Sequence, residues 1–253
     1  MYQYSDKSKK KYIKKGGKRL EIEIIFNPAQ TLSHSRDKII SDMRQITKLA
    51  WADFGYVVSQ WFDWASILLI VRYRGEIVGF SANEFLDGNV VVFLSTMILP
   101  NFKNMGLSKT LQRFAFKQFL LRNFNFKFWK YFKKIYFVFR TPNPSLVAAV
   151  LRYNSVPSIN GRKPTREELE IAKKIANKFS HYCVFNEEHF VIKGALKHNP
   201  DLIFNLDEIP YSNNKMVNEF CKRYLKYEKK EGNLLVVVGH PTFLQKILAL
   251  FSN

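Results

Sequence analysis

The residues from Pro100 to Lys109 have the types and spacing to hold an anion. Val90 to Leu99 (VVVFLSTMIL) reads as a β-strand that Pro100 stops. Leu107 to Leu121 reads as a helix, apolar at Leu107, Leu111, Phe114, Ala115, Phe119 and Leu120. Between them runs a polar loop, Asn101 to Gly106. A loop that passes directly into a helix start presents backbone N–H groups without carbonyl partners, at the positive end of the helix dipole. Pyrophosphate suits such a place. Gly106 lets the backbone approach closely, and Ser108 is too small to block it. Lys103 and Lys109 add charge on either side. The common phosphate-loop patterns, GxxxxGKS or GxxxxGKT and a GxGxxG after a strand, are absent. An ordinary strand-to-helix connection that binds nothing is the competing reading of the same residues.

The elements that must position this loop are legible nearby. Glu21 to Phe26 is a short first strand, followed by a turn-rich loop from Asn27 to Ser35. Ser35-Arg36-Asp37 opens a helix whose Ile39, Ile40, Met43, Ile46 and Leu49-Ala50 form one apolar stripe. Ser66 to Tyr73 (SILLIVRY), Ile77 to Phe85 and Val90 to Leu99 are strands joined at Arg74-Gly75-Glu76 and Asp87-Gly88-Asn89. Glycine supplies the positive φ that such turns need, so the three strands form an antiparallel meander. Downstream, Ile135 to Arg140 is a strand, Ser145 to Tyr153 a short helix, and residues 155–164 a loop. Thr165 to Phe179 is a mixed-charge helix, Tyr182 to Ile192 and Asn233 to Gly239 are strands, and a helix follows Pro241.

With 253 residues, 47% of them hydrophobic, the chain can bury a real core. Its formal charge of +19 favours anionic partners: nucleic acid, anionic lipid or a phosphorylated ligand. Cys183 and Cys221 form no CxxC motif and are expected to be reduced thiols. Residues 1–19 are basic, carry Gly16-Gly17 and lack an apolar segment, so they are expected to form a mobile tail rather than a signal peptide. The longest apolar run, Trp64 to Val71, is too short to span a bilayer, and a cytoplasmic location is expected.

The order helix, three-strand meander, loop, helix, strand, helix resembles the GCN5-related N-acetyltransferase (GNAT) superfamily. That family's loop runs hydrophobic-x-Pro-x-x-Arg/Gln-Gly-x-Gly-x-Gly/Ala. The run from Ile98 through Leu99, Pro100, Asn101, Phe102, Lys103, Asn104, Met105, Gly106 and Leu107 to Ser108 lies on it without a gap. Lys103, Asn104 and Ser108 depart from the pattern; a lysine keeps a point charge for phosphate but loses the bidentate fork of arginine. The resemblance covers about residues 20–154, and more loosely 182–239. It implies a mixed α/β fold, a mostly antiparallel central sheet flanked by helices. One domain is expected over 20–253, with the cofactor core at 20–154 and helical elaboration, later strands and a last helix at 155–253.

By the same resemblance, acetyl-CoA or another acyl-CoA is the donor and an amine the acceptor, with no metal. Met97, Ile98 and Leu99 would bind the pantetheine arm by strand-like hydrogen bonds. The backbone from Lys103 through Asn104, Met105, Gly106, Leu107 and Ser108 to Lys109 would hold the pyrophosphate. The N–H near Ile98 would stabilise the oxyanion. Tyr153 is the implied proton donor to the leaving thiolate; a core tyrosine bonded to a backbone acceptor is its plain alternative. Asn143 is either a pantetheine contact or a turn residue. For the base, Glu84, Glu187 and Glu188 are candidates, as are His189 and His240, and Ser95 or Thr96 could order a water instead. His181 and His189 join no metal-site pattern.

The stretch from Phe124 to Phe139 interleaves aromatics with Lys127, Lys130, Lys133 and Lys134. It is a core strand with outward lysines, a wall for a long acyl chain, a patch for an anionic membrane, or a stacking surface for nucleic acid. A long-chain N-acyl amino acid or acyl-homoserine-lactone-type synthase is an alternative on the same fold. A non-catalytic basic nucleic-acid-binding protein is the alternative from another class.

Overall fold

The structure is a computed structural model that describes residues 8–51, 54–124, 133–157, 159, 161–180, 182–196, 211–227 and 231–251. The chain divides into two compact units, residues 1–128 with 249–253 and residues 129–248, where the sequence reading expected one domain over 20–253. Each unit has its own strands and helices. Both are mixed α/β, and the strand pairings within each unit are antiparallel.

The first unit holds strands β1 (Lys9–Lys15), β2 (Lys18–Phe26), β3 (Ile67–Tyr73), β4 (Glu76–Leu86) and β5 (Val90–Ile98), paired in chain order. Between β2 and β3 lie helices α1 (Pro28–Thr31), α2 (Arg36–Ala50) and α3 (Val57–Trp64), and α4 (Leu107–Phe124) follows β5. α4 packs against β3, β4 and β5, α2 against β4 and β5, and α3 against β4. Both alternating sets of side chains on β3 and β4 are buried, so the helices cover both faces of the sheet. That explains why SILLIVRY shows no alternation.

The expected tail is a correction. Residues 1–7 lie outside the described residues, but Lys9–Lys15 is a strand paired along its whole length with β2. Gly16 and Gly17, at φ 52 and 75, make the tight turn between them. Ile13 sits opposite Leu20, and Lys10 pairs with Glu21 at 2.9 Å. The lysines suit an edge strand, where charge discourages pairing with another chain.

The second unit holds β6 (Tyr136–Thr141), α5 (Pro144–Val150), α6 (Arg166–Phe179), β7 (Val184–Asn186), β8 (Val191–Lys193), α7 (Lys215–Leu225) and β9 (Leu234–Gly239), and α8 (Phe243–Phe251) follows. Its strands lie in the order β6–β9–β8–β7. The single strand expected from Tyr182 to Ile192 is two short ones, because the turn before Val191 places Phe190 at φ 54. The short helix expected from Ser145 begins at Pro144 and tightens to a 3-10 turn over Leu151–Tyr153. α1, α3 and α7 were not anticipated.

A buried ion pair closes the start of α6. Glu168 is fully buried, and Arg162 donates to both its oxygens at 3.0 and 3.1 Å. Thr165 and Glu168 exchange the two hydrogen bonds of a capping box. Burial pushes the Glu168 carboxyl up, but Arg162 and Thr165 together hold it below the ordinary carboxylate value. Its contribution to stability is therefore present above the unfolded carboxylate pKa of about 4.3. It is lost as pH falls through the lower folded value. Glu168→Gln should cost about 3 kcal/mol at neutral pH, because it leaves Arg162 without its anion. Urea melts across the acid range should show wild type losing stability below pH ~4.3 and the variant losing less.

Candidate functional site

The loop after β5 is built from hydrogen bonds that leave its second half unoccupied. Phe102 N donates to Leu99 O at 2.9 Å and Lys103 N to Pro100 O at 3.0 Å, a 3-10 turn over Pro100–Phe102. The next backbone donor into the loop is Thr110, bonded to Gly106 O at 3.1 Å. The amides from Asn104 through Lys109 therefore donate to no backbone carbonyl among the described residues. Asn104 and Gly106 both take positive φ, 63 and 69, a conformation used in backbone nests for anions. A Cβ on Gly106 would meet nothing within 4 Å. Gly106 is thus required by its backbone angle and not by packing, and the space above it is open. Ser108 and Lys109 are exposed, and Leu107 is buried under them as the first core residue of α4.

Lys103 has a different task from the expected one. Its N–H closes the 3-10 turn, and its Nζ donates to Ala50 O at 3.0 Å, at the C-terminal end of α2. A cation there satisfies an orphan carbonyl and the negative end of the helix dipole. Met105 instead faces the β1–β2 turn: a Cβ on Gly16 would meet its sulfur at 3.1 Å.

β5 prepares a second set of backbone groups. Ala82 pairs with Ser95 and Asn83 with Phe93, so Leu94 is an extra residue, a bulge in β5. Beyond it, Leu99 N donates to Val78 O at 2.9 Å. Successive residues of a strand turn their polar groups to opposite edges. Met97 and Leu99 therefore address β4, and Ile98 turns its N–H and carbonyl away from β4. Of the residues expected to bind an extended arm, Ile98 alone offers its backbone on that edge. Gly79 presses on the same segment; a Cβ there would meet Ile98 Cδ1 at 2.5 Å and Met97 O at 2.9 Å.

Polar side chains line β4 and β5. Glu84 is buried, 7% exposed, opposite Val92. The Thr96 hydroxyl is engaged with Ser81 Oγ at 2.9 Å. Ser95 differs: its Oγ is buried and has no hydrogen-bond partner among the described residues. Of the two hydroxyls that could order a water, Ser95 is the one not already engaged.

The second unit carries the other expected residues. Asn143 is the N-cap of α5, its Oδ1 accepting from Leu146 N at 3.2 Å, so the turn role is the one the structure gives it. Tyr153 is half-buried, its ring edge-on to Phe137 at 5.2 Å. Its carbonyl accepts from His240 N at 3.1 Å, while its hydroxyl makes no hydrogen bond among the described residues. The buried tyrosines of the unit among the described residues have bonded hydroxyls, Tyr136 donating to Glu167 and Tyr227 to Pro142 O. Among the remaining base candidates, Glu187 pairs with Lys173 and Glu188 is mostly exposed beside His189. Burial first, then Lys134, hold His240 below the ordinary histidine value, and Asn154 Nδ2 lies 2.9 Å from its Nε2. His181 and residues 125–132 of the aromatic stretch lie outside the described residues.

Neither thiol is activated. Burial pushes Cys221 up to about 12 and raises Cys183 as well. Among the described residues no three His, Cys, Asp or Glu could hold a metal ion together, and no helix is long and apolar enough to cross a membrane. Sequence reasoning missed Lys246, 4% exposed, whose Nζ donates to Lys133 O at 2.9 Å. A lysine inside the apolar run of α8 was the available signal.

No protein-family model matches the sequence, and no curated protein matches it. Solved structures match more distantly. A GNAT family acetyltransferase from Elizabethkingia anophelis with acetyl-CoA bound is 15% identical, over 75% of this chain and 85% of that one, with a TM-score of 0.39. An IAA acetyltransferase from Bacillus cereus is 12% identical, over 53% of this chain and 74% of its own, at 0.36. A diaminobutyrate acetyltransferase from Paenibacillus lautus, in complex with its substrate and coenzyme A, is 13% identical, over 51% and 69%, at 0.31. Likenesses this distant carry no argument, and the functional reading stands on this chain's own residues.

The capping role of Lys103 is testable by itself. Lys103→Met should lower stability by roughly 0.3–1 kcal/mol in a urea melt. An unchanged midpoint would remove the contact with Ala50.

Proposed function

We propose that the chain is an acyltransferase of the GNAT type, moving an acyl group, acetyl by default, from a coenzyme A thioester to an acceptor amine. The observation that carries this reading is the run of open amides from Asn104 to Lys109. It stands beside a strand whose bulge and pairing turn Ile98 outward. An anion cradle next to an extended backbone donor and acceptor suits a ligand with a diphosphate at one end and an amide-bearing arm at the other. The order of elements supports the same reading.

The amides of Asn104 to Lys109 would bind the pyrophosphate, with Lys109 as the nearby cation. Lys103 is left out of this set. Ile98 N–H and carbonyl would hold the arm, and an N–H there would face the thioester oxygen as it gains charge. The acceptor must lose a proton to become a nucleophile. Glu84 is the proposed acceptor of that proton, and a water held by Ser95 Oγ its relay. The amine nitrogen attacks the thioester carbon, an amide bond forms, the carbon–sulfur bond breaks, and the thiolate takes a proton. Tyr153 is the proposed donor, supported by its unengaged hydroxyl. Attack is direct, as the family resemblance implies.

The decisive test is thermal stability with acetyl-CoA, free coenzyme A and a long-chain acyl-CoA. A ligand at about 100 times its dissociation constant adds about 2.7 kcal/mol, a clear upward shift. Gly106→Trp meets open space but is strained by about 1–2 kcal/mol at φ 69, so it should fold with a lowered melting temperature and show no shift with ligand. No shift of the wild type with any of the three ligands at millimolar concentration would refute the reading. Once an acceptor is known, Tyr153→Phe should leave the melting temperature unchanged and lower kcat by about 10²-fold. An unaltered kcat would return Tyr153 to a packing role.

A further inference from the structure

The turn between β1 and β2 is built against the loop after β5. Gly16 leaves room for Met105, since a Cβ there would meet its sulfur at 3.1 Å and its Cγ at 3.3 Å. Just past the turn, Lys18 Nζ lies 4.5 Å from the centre of the Phe102 ring and 5.3 Å from that of Tyr73. Phe102 belongs to the 3-10 turn that opens the loop, and Met105 to the run of open amides. The hairpin therefore meets the loop at residues on either side of Asn104.

Strand register decides which lysines face that loop. Lys15 is paired directly with Lys18, so the two side chains share a face. Ile13 and Lys11 share it by alternation, and Lys11 Nζ is 4.6 Å from the Phe114 ring of α4. Lys14 and Arg19 point to the opposite face, where the Arg19 guanidinium lies 4.6 Å from the Tyr12 ring. The carboxylates of β2 are on that opposite face too, bound by Lys10 and Arg72. Among the described residues neither Lys15 nor Lys18 has a carboxylate partner. The rings beside Lys18 attract its ammonium without neutralising it. Like charges directly opposite one another destabilise a strand pair, and an anion between them offsets that cost.

We infer that Lys15 and Lys18 form a second phosphate subsite, and that its ligand is the ribose 3′-phosphate of coenzyme A. This subsite rests on the acyl-transfer reading, which supplies the ligand. Coenzyme A carries phosphate in two places, the diphosphate and the ribose 3′ position a few bonds away. The open amides from Asn104 to Lys109 suit the first. The two lysines at the hairpin end, beside Met105 and Phe102, suit the second. Lysine fits this task, because its ammonium is a point charge with three donors on a flexible stem, and a terminal phosphate offers three acceptor oxygens.

The test compares coenzyme A with 3′-dephospho-coenzyme A, which keeps the diphosphate and the arm. Isothermal titration calorimetry at one ionic strength should show wild type binding coenzyme A about tenfold or more tighter than the dephospho ligand. Lys15→Gln with Lys18→Gln should abolish that difference and leave the affinity for the dephospho ligand as in wild type. If the double variant melts early, Lys15→Gln alone should reduce the ratio of affinities. Lys14→Gln, one residue away on the opposite face, removes the same charge and should leave the ratio unchanged. Equal affinity of wild type for the two ligands would overturn the subsite and leave the acyl-transfer reading standing. So would a fall in the ratio as large from Lys14→Gln as from Lys15→Gln, or a double variant that loses both ligands alike. No binding of either ligand by wild type would overturn the reading and the subsite together.

Discussion

The pairing of β4 with β5 is the constraint on which the candidate site depends. It is interrupted at Leu94, where one extra residue enters β5, and it resumes with Gly79 pressed against Met97 and Ile98. Those two features decide which backbone groups face β4 and which do not. A shift by one residue would exchange the roles of Ile98 and its neighbours, because strand polar groups alternate. Gly79 allows the approach because it has no Cβ to meet Ile98, and a larger residue would force the strands apart.

The loop after β5 is a matter of hydrogen-bond accounting. Every buried backbone donor needs a partner, and an exposed one can wait for a ligand. The 3-10 turn at Pro100–Phe102 satisfies the first donors of the loop, and α4 satisfies those from Thr110 onward. The amides between remain exposed at the positive end of a long helix, anchored by Leu107 in the core. Lys103 secures the loop from behind by binding the end of α2. A residue that was expected to touch an anion instead holds the backbone of the candidate site.

Electrostatics in the two units follow different rules. In the second, Arg162 and Glu168 are matched in a buried, bidentate pair, and the capping box ties them to the start of α6. In the first, Glu21 and Glu23 of β2 are matched by Lys10 and Arg72 on one face of the sheet.

Local chemistry determined a good part of this protein in advance. The meander from Ser66 to Leu99, the helix after Gly106, the stripe of α2 and the helix opening at Thr165 all rest on interactions between residues close in sequence, so periodicity and turn glycines revealed them. The edge strand Lys9–Lys15 was hidden because lysine-rich residues have little strand preference, and only a partner across Gly16-Gly17 makes them extended. The tasks of Lys103, Asn143 and Ser95 were decided by tertiary structure. Lys103 Nζ reaches a carbonyl distant in sequence, Asn143 caps a helix whose start depends on the packing around it, and Ser95 is left without a partner by a bulge that no composition announces. Sequence alone pointed to a candidate anion site after β5, from a helix start and a glycine. Which donors remain open there depends on partners far along the chain, and only the folded chain brings those together.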